Sequence, residues 1–124
     1  MAQNDTELRT DDRRGILPLM QWLSDGEFLR GAVVADKVIG KAAAFLLVLG
    51  GVREVFAGVI SIPAAEVLEN AGIPYTLEKK VQNIENRRHD GICPMESAVL
   101  KTEDPQEAFS ILEKKCAEFQ EKKY

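Results

Sequence analysis

Across residues 31–75, short β-branched apolar runs alternate with longer apolar segments bounded by Gly, Asp and Pro, a pattern that predicts strand, helix, strand, helix and a further strand. GAVVA (31–35) is continuously apolar, as in a strand covered on both faces, and Asp36 then stands where a helix cap belongs. The predicted helix over 37–49 carries Val38, Ile39, Phe45, Leu46, Leu47 and Leu49 on nearly every side, so it should be largely buried, with Gly50-Gly51 as its stop. REVFAGVI (53–60) reads as a second strand, in which Gly58 marks a bulge or a close approach of backbones. Pro63 opens a helix running to Asn70, Gly72 ends it, and IPYTLEKKV (73–81) returns as a third strand. Right-handed crossovers make these three strands parallel and adjacent.

The flanks are less regular. Residues 1–15 mix charges without periodicity beyond a short apolar centre at Leu8, which fits an edge strand or, better, a loose arm. ILPLMQWL (16–23) predicts a first helix with Pro18 in its first turn and Trp22 in the core. QNIENRRHDG (82–91) reads as a loop, and Pro94 opens a short helix, MESAVLK, after it. Asp104 and Glu107 form a capping-box pair ahead of a last helix, whose Ala108, Phe109, Leu112, Cys116 and Phe119 lie on one stripe suited to the sheet.

Composition narrows the function classes. The 124 residues, 45% hydrophobic, suffice for one domain with a core and are too few for two. A net charge of −4, with basic residues dispersed among acidic ones, speaks against nucleic acid as a partner. No apolar run is long enough to span a bilayer and the first residues lack a signal-peptide core, so a cytoplasmic protein without membrane contact is expected. Cys93 and Cys116 make no disulfide framework, and both are expected as thiols.

Familiar catalytic and cofactor fingerprints do not occur. Gly40-Lys41 is no phosphate-binding P-loop, because Ala35 and Ala42 replace its first Gly and its Ser or Thr. There is no GxGxxG, no GxSxG and a single histidine, His89. Cofactors are therefore expected to be none. His89 and Cys93 are four apart, but Gly91 and Pro94 interrupt any shared helical face, so no metal site is predicted.

Zinc-dependent cytidine deaminases carry HxE on the helix after one strand and PCxxC at the start of the next. Here the corresponding places read Gly40-Lys41-Ala42-Ala43 and Pro63-Ala64-Ala65-Glu66-Val67, which keep the proline and none of the metal ligands. The blocks RRGILPLM, GAVVADKVIGKAAA, EVFAGVIS and GICPMES carry a resemblance, over most of the chain from about Arg14 to Leu100, to a small family known only as a domain of unknown function, similar to the cytidine-deaminase-like fold without its zinc site. That resemblance implies a three-layer α/β/α sandwich with a mixed, largely parallel sheet, and no established activity. It also implies two N-terminal strands, where the chain offers only the polar NDTELRTDDRRG.

The candidate ligand site is the turn carrying Asp36, Lys37, Gly40 and Lys41, at a strand's carboxyl end and a helix's amino end, where open α/β sheets bind small molecules. Two lysines there oppose the helix dipole, and Gly40 inside a first turn costs about 1 kcal/mol, so several local rules are broken together. The plainer reading has Asp36 as cap, Gly40 as a packing residue and Lys41 snorkelling from a buried helix. Asn86, Arg87 and Glu96 complete the candidate set, Arg87 as an anion clamp or a solvated charge. Cys93, at a helix N-cap near Arg87, Arg88 and His89, is the candidate nucleophile, its thiolate favoured by those cations and opposed by Glu96. The expected function is a zinc-free, deaminase-like domain that binds a small anionic or nucleotide-like ligand. A Cys93-dependent enzyme and a structural or assembly module, including a homo-oligomer, are the alternatives.

Overall fold

A computed structural model describes residues 2–3, 8–9, 17–24, 29–82, 94–99 and 101–121, with side chains described over 19–23, 29–82, 97–99 and 101–115. Its centre is a parallel β3-α2-β4-α3-β5 succession, with β3 at Val33–Ile39, α2 at Lys41–Gly50, β4 at Glu54–Ser61, α3 at Ile62–Asn70 and β5 at Tyr75–Val81. Two short strands, β1 (Ala2–Gln3) and β2 (Leu8–Arg9), extend the sheet antiparallel to give the order β2-β1-β3-β4-β5. Helices α1 (Leu17–Ser24), α4 (Pro94–Val99) and α5 (Pro105–Glu121) complete the described elements. The expected loose arm is thus replaced by an antiparallel pair, with Gln3 and Ala2 registered against Val33 and Val34.

The first predicted strand is longer than its apolar run suggested. Asp36 and Lys37 interrupt the hydrophobicity but not the strand, because Val38 and Ile39 continue the parallel ladder opposite Val59 and Ile60. Asp36 is therefore not a helix cap, and α2 starts four residues later than predicted, behind an extended Gly40 (φ −99°, ψ −179°). Within β4, Gly58 is registered with neither neighbour, and a Cβ built on it would lie 2.7 Å from the Lys37 carbonyl oxygen. Gly58 marks the close-approach alternative of its two sequence readings.

Both crossover helices end in the same way. Gly51 takes the left-handed conformation (φ 72°) while its amide and that of Val52 donate to the Val48 and Leu47 carbonyls. Gly72 (φ 74°) repeats the device, its amide donating to the Glu69 carbonyl and that of Ile73 to Leu68. These are Schellman closures, which satisfy orphan carbonyls and place an apolar residue, here Val52 or Ile73, against the helix end. At the other end of α3, Ser61 Oγ accepts from the Ala64 amide at 3.2 Å with Pro63 in the first turn.

Helix α2 is the structural centre. Residues from Lys41 to Leu47 are all buried, and the helix packs against α1, α3, α4 and α5 as well as β3. The core joins Leu19 and Trp22 of α1, Val34 and Ile39 of β3, Val55 and Ile60 of β4, Leu68 of α3, Val99 of α4, and Ala108 and Leu112 of α5. The nearest backbone neighbours of α5 are α2 and α4, so its buried stripe meets helices where a sheet contact was predicted. Asp104 caps α5 as expected, Oδ1 accepting from the Gln106 amide at 3.0 Å. Its own amide donates to Thr102 Oγ1 at 3.3 Å, taking the bond that a capping box would give to Glu107.

Candidate functional site

Four of the predicted site residues are now divided between two elements. Asp36 and Lys37 are exposed positions on β3, whereas Gly40 and Lys41 form the amino end of α2. Gly40 is the cap residue and lies outside the helix, so the predicted cost of a glycine inside the first turn does not arise; its carbonyl accepts from the Ala44 amide at 2.9 Å. Only one lysine, Lys41, stands at the helix terminus.

Lys41 is 4% exposed, an unusual place for an ammonium. Its Nζ lies 3.4 Å from Glu103 Oε1 and 5.6 Å from the centroid of the Phe45 ring one helical turn later. Glu103, 79% exposed, comes from the connection between α4 and α5. The connection is held on both sides: the Thr102 amide donates to the Val99 carbonyl at 3.3 Å, and Asp104 is fixed by Thr102 and by its capping role. Snorkelling would leave the head in water, whereas only 5% of the Lys41 side chain is exposed, with the Phe45 ring and the Glu103 carboxylate beside its ammonium. Glu103 was not legible as a site residue, because an acidic residue 62 positions away carries no local signal.

Asp36 Oδ1 accepts from the Lys37 amide at 2.7 Å. Although the residue outline is exposed, protein packed around its carboxyl raises the pKa, and hydrogen bonds from the Lys37 and Val38 amides and the Lys37 charge pull against that without cancelling it. The folded state holds this proton to higher pH than the unfolded chain does, so stability falls as pH rises from the unfolded value through the raised folded one. Asp36→Asn, which keeps the acceptor oxygen, should therefore be more stable than the parent at pH 7 and should lose that part of the acid-side slope. Equal pH–stability curves from thermal melts between about pH 3 and 7 would show that the carboxyl is not desolvated.

Tyr75 illustrates a different link between sheet and helix. Its hydroxyl donates to Glu69 Oε1 at 2.6 Å, and that hydrogen bond raises the phenol pKa, tying the start of β5 to the end of α3.

Asn86, Arg87 and Cys93 lie outside the described residues, as does the side chain of Glu96 on α4. Among the described residues no group of three His, Cys, Asp or Glu is placed to hold a metal ion. Nor is any described helix long and apolar enough to cross a membrane.

The order of elements and the register of β3, β4 and β5 define an α/β protein built on a three-stranded parallel sheet with crossover helices. The chain belongs to the family described as a domain of unknown function, DUF1893, whose model matches residues 1–116. It is similar to the crystal structure of a DUF1893 family protein from Thermotoga maritima, with 28% identity and a TM-score of 0.85 over 92% of this chain and 78% of that one. A comparison with curated proteins gave no match.

Proposed function

We propose that the protein is a zinc-free, deaminase-like α/β/α domain that binds a small anionic metabolite or nucleotide-like ligand at the amino end of α2, without hydrolytic deaminase activity. The observation that carries this reading is the burial of Lys41 at the first residue of α2, just beyond the carboxyl end of β3. A cation there adds to the partial positive charge of the helix terminus, at considerable cost to the fold unless an anion is close. Glu103 supplies one carboxylate oxygen at 3.4 Å, and its exposure leaves it able to yield that place to a ligand oxygen.

The chemistry of deaminases is a poor match. Activation of water by zinc needs three soft or imidazole ligands and a carboxylate proton shuttle. Ala64 and Val67, buried in α3 where the cysteines would stand, offer none of these.

Inorganic phosphate is the simplest probe, followed by nuclear magnetic resonance or by thermal shift. Binding should perturb the Gly40, Lys41 and Ala42 amides, and Lys41→Ala should weaken it by about 1–3 kcal/mol. Unchanged affinity in that variant would leave Lys41 and Glu103 as a structural latch, the assembly-module reading.

A further inference from the structure

The geometry points to the outer edge of β5 as a self-association surface, through which two copies of the chain join antiparallel, β5 to β5, into one continuous sheet. No described strand lies beyond β5 in the order β2-β1-β3-β4-β5. Such an edge is a template for another strand.

Val55 is registered with Tyr75, and its amide donates to the Pro74 carbonyl at 3.1 Å. The amide and carbonyl of one strand residue share a side, and successive residues alternate. Pro74, Thr76, Glu78 and Lys80 therefore turn theirs toward β4, and Tyr75, Leu77, Lys79 and Val81 turn theirs outward, with the register offset the same at both ends of the strand.

A two-fold axis perpendicular to the sheet through Lys79 satisfies this edge. Leu77 of each copy then meets Val81 of the other in a hydrogen-bonded pair, and Glu78 meets Lys80 in a non-hydrogen-bonded pair, where side chains approach most closely, with Cα atoms about 4.5 Å apart. Both apolar residues are half-buried, and Glu78, Lys79 and Lys80 are exposed and free to reach across. Neighbouring centres are worse: an axis through Glu78 sets Glu78 against itself, and one through Lys80 sets Lys80 against itself. The sequence TLEKKV is thus self-complementary in one antiparallel register. The like-charge contact of Lys79 with its own copy at the axis keeps the association weak.

Closure follows from the symmetry: a two-fold contact uses the same edge of both copies, so association through β5 ends at a dimer.

Sedimentation velocity on the full chain tests this. The parent should pass from monomer to dimer between about 10 and 500 µM, as expected for a small interface, and more salt should favour the monomer. Glu78→Lys and Lys80→Glu should each weaken the dimer roughly tenfold, because two attractive pairs become repulsive. The doubly exchanged variant, Glu78→Lys with Lys80→Glu, should return to within about twofold of the parent, and Lys79→Thr should bind itself more tightly. A monomer at the highest concentration, single reversals without effect, or a double exchange that fails to recover the dimer would each overturn the proposal.

Discussion

Phe45→Ala should destabilise the protein by about 3–5 kcal/mol, the range for removing a fully buried aromatic side chain. Phe45 is 1% exposed in the middle of α2, a helix flanked by α1, α3, α4 and α5, so no single neighbour can move to fill the cavity without disturbing another contact. The ring also lies 5.6 Å from Lys41 Nζ, and its loss removes apolar cover from a buried cation. Against a total stability of about 5–15 kcal/mol, the expected loss lowers the urea midpoint by a large fraction while leaving the denaturant slope unchanged. Phe56→Ala provides the contrast: that ring is 42% exposed on β4 and should cost about 1 kcal/mol or less. Similar midpoints for the two variants would contradict the central position of α2.

The second large effect is expected at Gly58. Its Cα faces the backbone of β3 so closely that an added methyl group would lie 2.7 Å from the Lys37 carbonyl oxygen and 3.4 Å from the Lys37 Cα. Backbone atoms in a paired strand cannot step aside as a flexible side chain can. Gly58→Ala should cost about 1–3 kcal/mol and loosen β3 against β4, seen as a joint loss of hydrogen-exchange protection on both strands. Gly72 isolates the other reason for a glycine: a Cβ there meets nothing within 4 Å, but φ is +74°. Gly72→Ala should therefore cost about 1 kcal/mol through backbone conformation alone and leave strand protection intact.

The parallel succession was legible in the sequence because α2 is buried from Lys41 to Leu47 and β4 is apolar over most of its length, and such segments stand out as apolar runs. The helix stops were legible too, since Gly51 and Gly72 occupy left-handed positions that few other residues tolerate. What misled was Asp36-Lys37. After an apolar run, that pair has the local chemistry of a helix start, and only pairing with a distant strand, Val38 with Val59 and Ile39 with Ile60, keeps the backbone extended. The N-terminal strands were hidden for a similar reason, as two-residue strands have no periodicity to detect. At the candidate site, Lys41 and Gly40 were singled out from their place between a strand and a helix, while the contact of Glu103 depends on the docking of α5 that brings its loop to α2.

That docking also sets an order of events during synthesis. The ribosome releases β3, α2, β4, α3 and β5 as one contiguous stretch whose contacts are mostly between neighbours in sequence, so this part can begin to assemble early. One flank of α2, however, waits for Ala108 and Leu112, which emerge more than fifty residues after Leu49. Until then the nascent chain carries an uncovered apolar helix side and an ammonium at Lys41 without its Glu103 carboxylate, a natural target for holding chaperones. The last helix is thus the piece that turns a sticky intermediate into a finished protein, and chains truncated before residue 105 should be recovered as aggregates or as chaperone complexes.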